Sequence, residues 1–310
     1  MSTRIIYTEY GTPDVLRFED GPVPEPGRGQ VLVRTEMIGV NPIDWKLVAG
    51  AFARVDPAPF PGTPGWAATG IIEALGDGVT GYAIGQPVIL DSRARLPVTS
   101  GSRGGTFAEH VAVDTTRIVA RPDGMSLEQA AALPSSAVAG YSMAQNLGIT
   151  SEDTLLVHGA AGSVGSATVQ IAVDRGARVI GTASARNHDY LRSLGATPVL
   201  YGDSLIDALS GLGPVTASAD AVGGAASVAA TQAVLAPGGR VVTAWGDEHS
   251  HVAGIPWVRH PDDELEQTVT IAARGALTVR IGETFLLAHA ADALQLSKTG
   301  HAEGKILLRP

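Results

Sequence analysis

The stretch His158-Gly-Ala-Ala-Gly-Ser-Val-Gly165 follows an apolar run and precedes an amphipathic one, and this position decides the fold. On the pattern G-x-G-x-x-G, Ala160 replaces the first glycine, and Gly162 and Gly165 are the second and third. Gly162 would let a pyrophosphate approach the backbone, and Gly165 would let a helix pack close to its strand. Amides at the start of that helix would face the anion. The alternative is a tight turn without a ligand. The pattern favours a dinucleotide-binding loop with contacts from Ala160, Ala161, Gly162, Ser163, Val164 and Gly165.

Runs of strand and helix pattern alternate around this loop. The predicted strands are 154–158, 177–183, 198–201, 217–221 and 240–244, and the predicted helices are 163–175, 188–194, 205–209, 225–235 and 262–273. Such alternation is typical of an α/β fold with a doubly wound parallel sheet. We therefore predict a Rossmann domain over residues 123–276.

The end of the second predicted strand indicates which dinucleotide this domain binds. An NAD site usually has Asp or Glu there to hold the ribose hydroxyls. The segment 181–187 contains no carboxylate, but it contains Ser184 and Arg186. A guanidinium and a hydroxyl can both bind a 2′-phosphate. These residues favour NADP(H), and the alternative is that Arg186 only begins the next helix.

The N-terminal part of the chain has a different pattern. Short β-branched runs at 4–8, 30–38, 70–75, 86–90 and 109–113 are separated by Gly- and Pro-containing turn signals. This spacing predicts an antiparallel or barrel-like β domain. From residue 277 onward we expect a strand, an Ala-rich helix at 287–295 and a last strand at 305–308.

Composition excludes several classes of protein. The 310 residues include 22 Lys+Arg and 31 Asp+Glu, which gives a formal net charge of −9. This charge argues against nucleic acid or an anionic membrane as a partner. The chain has no cysteine, so disulfides, cysteine nucleophiles and thiolate zinc sites are excluded. The N-terminus lacks the pattern of a signal peptide, so we expect a cytoplasmic protein.

Three histidines are candidate metal ligands. His249, His251 and His260 are close in sequence, but their spacing fits a solvated loop better than a metal site. We therefore predict no metal.

Several motifs in the same order resemble those of one family. They are Gly39-Val-Asn-Pro-Ile-Asp44, Gly104-Gly-Thr-Phe-Ala-Glu109, Ala130-Ala-Ala-Leu-Pro134, Pro237-Gly-Gly-Arg-Val241 and Gly304-Lys-Ile-Leu-Leu308. With the glycine-rich loop, they resemble the medium-chain dehydrogenase/reductase superfamily, in its zinc-independent quinone oxidoreductase (zeta-crystallin-like) branch. The resemblance implies a discontinuous GroES-like β-barrel domain, 1–122 and 277–310, beside the Rossmann domain. It also implies an active site in the cleft between the two domains.

The resemblance also implies a set of cofactor contacts. The 2′-phosphate contacts would be Ser184, Arg186 and Tyr201, and the nicotinamide contacts would be Asn41, Ala244, Trp245, Gly246, Gly304 and Lys305. Two positions depart from the family pattern. Ala67 stands where relatives often have Asp, and Ala139 stands where they often have Thr. Both changes remove polar groups expected at the substrate end.

The predicted reaction is hydride transfer from NADPH to a small-molecule quinone or α,β-unsaturated carbonyl compound. Asn41 would orient the nicotinamide amide or a substrate oxygen, Asp44 would brace its loop, and Lys46 would reach the cleft or remain a surface lysine. One alternative is an enoyl-thioester or biosynthetic tailoring reductase. Another is a non-catalytic NADPH-binding protein, because fold does not fix function.

The last expectation concerns assembly. The segment 252–258 is apolar and includes Ile255 and Trp257, so we predict that it forms an exposed edge strand of the Rossmann sheet. Pairing of two such edges about a two-fold axis would give a homodimer. The alternative is that Trp257 packs within its own subunit or lines the substrate cleft.

Overall fold

The computed structural model describes residues 1–54, 57–92 and 105–310. The chain forms two compact units: unit 1 is Met1–Ser135 with Arg280–Pro310, and unit 2 is Ser136–Val279. The strands are β1 (Ser2–Ile6), β2 (Arg17–Gly21), β3 (Gln30–Gly39), β4 (Ala67–Leu75), β5 (Pro87–Asp91), β6 (His110–Asp114), β7 (Ile118–Ala120), β8 (Thr154–His158), β9 (Arg178–Ala183), β10 (Thr197–Leu200), β11 (Val215–Asp220), β12 (Leu235–Thr243), β13 (Ile281–Leu286) and β14 (Lys305–Arg309). The helices are α1 (Pro42–Val48), α2 (Leu127–Ala132), α3 (Val138–Asn146), α4 (Ser163–Asp174), α5 (His188–Ser193), α6 (Leu205–Ser210), α7 (Ala225–Val234), α8 (Glu248–Val252), α9 (Glu264–Ala273) and α10 (Ala290–Thr299).

Unit 2 contains a five-stranded parallel sheet in the order β10-β9-β8-β11-β12. Chain order runs outward from β8 in one direction and then from β11 in the other. The order therefore reverses between β8 and β11, as in a doubly wound Rossmann sheet. The strands are short apolar runs because helices cover a parallel sheet on both faces. Leu156, Ile180 and Val215 are among the buried residues of this core. The α/β fold with a parallel sheet, predicted from the alternating pattern, is confirmed.

Unit 1 contains a mostly antiparallel sheet in the order β13-β14-β3-β4-β5-β7, and β6 also pairs with β3. The strands β1 and β2 form a separate antiparallel pair. The C-terminal strand β14 pairs antiparallel with β3, which brings the end of the chain back to the first unit. Residues such as Val31, Val33, Ile72 and Leu90 form the apolar core of this unit.

The segment 252–258 does not form the edge strand that we predicted. Val252 ends helix α8, and the following residues contribute only a single bridge, between Thr243 and Trp257. Asp247 caps this helix, because its side chain accepts a hydrogen bond from the backbone of Ser250 at 2.9 Å. The cap accounts for the helix up to Val252, and Gly254 follows with a φ of +68°, which favours a turn and interrupts the apolar run. The strand at this end of the described sheet is β12.

In the described ranges, no helix combines the length and the apolar character that a membrane crossing would need.

Candidate active site

The loop after β8 turns sharply at a glycine that the sequence motif did not single out. Gly159 has a φ of +67°, which side chains of L-residues rarely allow. Its backbone nitrogen donates to Oγ1 of Thr182 at 3.2 Å, and the nitrogen of Ala160 donates to the carbonyl of Thr182 at 3.0 Å. The loop is therefore held against β9. A glycine directly after an apolar strand was the sequence signal for this turn.

The other two glycines of the loop have different surroundings. A Cβ on Gly165 would lie 2.3 Å from the carbonyl oxygen of Gly159 and 2.8 Å from Cα of Ala160, both backbone atoms. Helix α4 therefore packs closely against its own loop, which fits the packing role predicted for Gly165. Gly162 precedes α4, and a Cβ there would have one neighbour within 4 Å, at 3.4 Å. This position leaves space for a ligand beside the helix N-terminus.

The residues expected at the 2′-phosphate follow two strands that pair with each other. In the parallel register, Ala183 at the end of β9 lies opposite Leu200 at the end of β10. Ser184 and Tyr201 come directly after these two residues, so they leave the same edge of the sheet. Arg186 lies in the short turn after β9. The carboxyl edge of the sheet therefore carries the glycine-rich loop and these side chains together.

The same edge carries the segment Ala244–Gly246 after β12. The backbone nitrogen of Ala244 donates to the carbonyl of Asp220 at 2.9 Å. The Asp220 carboxylate accepts from the backbone of Val222 and Gly223 at 3.0 and 2.9 Å, and from Oγ of Ser227 at 2.8 Å. Asp220 was not predicted as a site residue. An acid at the end of an apolar strand, before Val-Gly-Gly, was the signal that could have identified it.

His158, the last residue of strand β8, is buried at this edge of the sheet. It is 2% exposed, and its Nε2 lies 3.0 Å from Oγ1 of Thr231. Burial lowers the pKa of the His158 imidazole, although the Asp220 carboxylate opposes this shift. The imidazole is therefore a neutral, buried group that bonds a hydroxyl.

Unit 1 contains a buried polar cluster at the start of α1. Asn41 follows β3 and is 1% exposed, Asp44 is 0% exposed, and Lys305 at the start of β14 is 2% exposed. The backbone nitrogen of Asn41 donates to Oδ2 of Asp44 at 2.7 Å. Nζ of Lys305 donates to Oδ1 of Asn41. The fold therefore brings together three predicted site residues that lie far apart in the sequence. Gly304 directly precedes this lysine.

Burial changes the titration of this cluster. Desolvation raises the pKa of the Asp44 carboxyl to about 7, although the Asn41 hydrogen bond and the Lys305 charge oppose the shift. Desolvation also lowers the pKa of the Lys305 ammonium to about 8, against the charges of Asp44 and Asp91. Among the described residues, Oδ1 of Asp44 has no hydrogen-bond partner. Burial of the charged groups of this cluster, and of the acceptor Oδ1 of Asp44, therefore costs free energy of folding.

Lys46, the third predicted catalytic residue, lies on α1. Its Nζ is 5.4 Å from the centroid of the Trp45 ring. Burial lowers the pKa of the Lys46 ammonium to about 8. An ammonium group with this pKa is a competent proton donor near neutral pH.

The three candidate histidines lie on two segments of the chain. His249 and His251 lie on α8, and Nδ1 of His260 lies 2.7 Å from Oε2 of Glu264. Within the described ranges, no group of three or more His, Asp or Glu side chains is arranged to hold a metal ion.

Comparison with known proteins identifies the family. Residues 27–123 match the model of the alcohol dehydrogenase GroES-like domain, and residues 194–308 match that of the zinc-binding dehydrogenase. A chloroplast envelope quinone oxidoreductase homolog of Arabidopsis thaliana is 30% identical over 315 residues, which cover 93% of this chain and 92% of the relative. The quinone oxidoreductase structure from Coxiella burnetii superposes with a TM-score of 0.87 at 27% identity, over 100% of this chain and 99% of that one.

The chain belongs to the medium-chain dehydrogenase/reductase superfamily, with a GroES-like domain and a Rossmann-like domain. The resemblance deduced from the sequence motifs is therefore confirmed, and quinone oxidoreductases are among the relatives. A 2-methylene-furan-3-one reductase of Solanum lycopersicum is 34% identical over 193 residues, 61% of this chain. The match spans about half of that relative, 49% of its length.

Proposed function

We propose that this protein transfers a hydride from NADPH to a quinone or an α,β-unsaturated carbonyl compound. The observation that carries the proposal is the carboxyl edge of the parallel sheet in unit 2. There the glycine-rich loop, with open space at Gly162, lies beside the strand that leads to Ser184 and Arg186. Two relatives, the quinone oxidoreductase homolog of Arabidopsis thaliana and the 2-methylene-furan-3-one reductase of Solanum lycopersicum, support the substrate class.

The residues of unit 2 fit a dinucleotide phosphate. The loop 160–165 would hold the pyrophosphate, because it combines a helix N-terminus with an uncrowded glycine. Ser184, Arg186 and Tyr201 would bind the 2′-phosphate, because they leave two paired strands at the same edge. Backbone groups of Ala244, Trp245 and Gly246, together with those of Gly304 and Lys305, would contact the nicotinamide. The bound cofactor supplies the hydride.

Unit 1 would supply the groups that act on the substrate. Reduction creates an enolate or quinol oxygen, and its charge needs a hydrogen-bond donor. We assign Asn41 to the orientation of the nicotinamide amide or the substrate oxygen, and Asp44 to the support of Asn41. Lys46 is our candidate proton donor, since burial lowers the pKa of its ammonium to about 8. Solvent is the alternative source of the proton.

Two other functions share the same cofactor site. An enoyl-thioester or biosynthetic tailoring reductase would use the same residues for NADPH and differ only at the substrate. A non-catalytic protein would bind NADPH through unit 2 but would catalyse no reaction. Ala67 and Ala139 support this last alternative, because the family resemblance implies a polar residue at each of these positions.

The test is NADPH oxidation measured with a panel of quinones, enones and enoyl thioesters. We expect turnover with a quinone or an enone, and the ranking of rates decides between the substrate classes. Faster turnover of enoyl thioesters would establish the second reading. Tight NADPH binding without turnover of any acceptor would overturn the proposed activity and establish the third.

We also propose that turnover needs no metal, as the absence of cysteine led us to predict. Prolonged treatment with a chelator should leave the rate unchanged, and elemental analysis should find no stoichiometric zinc. Stoichiometric zinc whose removal stops turnover would contradict this proposal.

Finally, we propose that the protein is a homodimer joined along the edge of β12, with which residues 256–258 pair only at Thr243. Beside this edge, the apolar residues Val241, Val242, Pro256 and Trp257 line a pocket together with Asn146, Arg259, His260 and Pro261. Trp257 is 57% exposed.

A cytoplasmic location stays a prediction, because the names of some relatives refer to the chloroplast envelope or to synaptic vesicles.

A further inference from the structure

A buried lysine of the last strand binds the side chain of Asn41. Lys305 and Asn41 are 264 positions apart in the sequence, and Nζ of the lysine donates to Oδ1 of the asparagine. The backbone holds the two segments together, because the nitrogen of Val40 donates to the carbonyl of Ile306 at 2.9 Å. Lys305 is 2% exposed, so its ammonium lies inside unit 1. This contact therefore joins the end of the chain to the start of α1.

The lysine decides which end of the Asn41 amide faces it. An ammonium group has three donors and no acceptor, so only the amide oxygen can lie against it. The amide nitrogen then points away from Lys305 and donates to the carbonyl of Gly39 at 3.3 Å. Asn41 is 1% exposed, and turning its amide would place two donors against each other in a buried site. The nitrogen end is therefore fixed as the donor.

Asp44 fixes the backbone of the same residue. Its Oδ2 accepts from the nitrogen of Asn41 at 2.7 Å, and its own backbone nitrogen donates to the carbonyl of Asn41 at 3.0 Å. These bonds hold the first turn of α1, as a capping residue does. Asp44 therefore sets where Asn41 lies. The Asn41 side chain also accepts from the backbone of Asp44 in a capping box, so Lys305 and the start of α1 together set how the Asn41 amide is turned.

We propose that Lys305 is a positioning residue, which holds the amide nitrogen of Asn41 ready to donate to the substrate oxygen that gains charge during reduction. A donor that is oriented before the reaction needs no rearrangement when the charge develops. The identity of the oxygen rests on the proposed function. The orientation of the amide does not, so the two can be tested separately.

The orientation can be measured without any turnover. Solvent exchange of the Asn41 side-chain amide protons would be followed by NMR in the protein labelled with 15N-asparagine, with Asn41→Ala for assignment. We expect exchange to be about tenfold faster in Lys305→Met, because the bond to Oδ1 is lost. Lys305→Gln keeps a donor and should stay within about threefold of the wild type. The amide of Asn146, which donates to Ser142 and Arg259 in unit 2, serves as the internal reference.

Lys298→Met is the matched control, since it removes an exposed lysine from the same unit. It should leave the Asn41 amide unchanged. Equal exchange rates in the wild type and Lys305→Met would overturn the proposal, whatever the activity assays show. Should Lys305→Met not fold, Lys305→Gln decides, because a tenfold acceleration in that variant would contradict the donor role.

The functional part is tested by a double-mutant cycle on turnover. We expect Lys305→Met and Asn41→Ala each to lower kcat about tenfold, and the double variant to lose no more than either single variant. The dissociation constant of NADPH should change less than about threefold. Losses that multiply in the double variant would overturn the proposal, as would weakened NADPH binding with kcat retained. A wild type without turnover would refute the proposed function, and the amide exchange would still decide the role of Lys305.

Discussion

At the scale of single residues, the proposal that the cofactor is NADPH depends on Arg186. It lies in the turn after β9, beside the strand that leads to the glycine-rich loop. A charge-assisted hydrogen bond contributes roughly 1.5–3 kcal/mol, so Arg186→Ala should weaken NADPH binding by about 10- to 100-fold. NADH has no 2′-phosphate, and its affinity should barely change. Both affinities can be measured by titration of cofactor fluorescence.

The control for this prediction is Arg192→Ala on the neighbouring helix α5. Arg192 forms an exposed ion pair with Asp189 at 2.5 Å, so its removal should leave both affinities unchanged. Equal losses for NADPH and NADH in Arg186→Ala would show that Arg186 supports the fold and does not bind the phosphate.

Asp44 makes the stability of unit 1 depend on pH. Burial raises the pKa of its carboxyl from 3.8 to about 7, so the folded state holds a proton that the unfolded state releases. The contribution of Asp44 is complete below pH 3.8 and is lost as the pH rises through about 7. The loss is at most about 1.4 kcal/mol per pH unit. We expect this decline in the wild type to be absent from Asp44→Asn.

The measurement is urea unfolding of both proteins at several pH values between about 5 and 7. This range lies below the window of Lys305, whose lowered pKa makes stability rise between about 8 and 10.5. Asp77→Asn, at an exposed turn of the same unit, is the matched control and should follow the wild type. Parallel curves for the wild type and Asp44→Asn would refute the prediction.

At the scale of the element, the loop between β8 and α4 contains two glycines for which we expect different roles. Gly165 allows the helix to pack closely, and Gly162 leaves space for the cofactor. In Gly165→Ala the new Cβ would lie 2.3 Å from a backbone oxygen, so the helix must shift. We expect a loss of about 1–3 kcal/mol in the free energy of unfolding, with weaker NADPH binding. In Gly162→Ala the nearest atom is 3.4 Å away, so the fold should lose less than about 1 kcal/mol.

The same Gly162→Ala variant should weaken NADPH binding by about tenfold or more, because its methyl group would occupy the approach of the pyrophosphate. Urea unfolding and cofactor titration on the two variants check both statements. Unchanged NADPH affinity in Gly162→Ala would show that the phosphate does not approach this residue. Unchanged stability in Gly165→Ala would contradict the packing role of that glycine.

At the scale of the whole molecule, the edge of β12 carries the proposed assembly. A strand edge that is paired only at Thr243 and has apolar neighbours is a liability that two-fold pairing removes. Light scattering at micromolar concentration should give twice the mass of one chain. Trp257→Arg places a charge beside that edge and should give a monomer. Phe18→Arg changes a comparably exposed aromatic residue of unit 1, 55% against 57% exposed, and should remain dimeric. A monomeric wild type, or a dimeric Trp257→Arg, would refute this interface.

The sequence by itself determined the class of fold and the place of the cofactor loop. Strand β8 (Thr154–His158) and helix α4 (Ser163–Asp174) agree with the sequence pattern to within one residue. Apolar periodicity and the glycines between these elements act over a few neighbouring residues, so they can be read locally. The helix at 248–252 was missed, because the spacing of its histidines was interpreted as a solvated loop and the cap at Asp247 was not recognised.

Only the tertiary structure decided the chemistry of the buried cluster in unit 1. The motifs named Asn41, Asp44 and Lys305, but not the hydrogen bond between Lys305 and Asn41 or the raised pKa of Asp44. A pKa depends on how much water the fold removes and on which charges it brings close, whatever their distance in sequence. The same holds for the orientation of the Asn41 amide, since one of the partners that set it, Lys305, lies 264 positions away in the sequence.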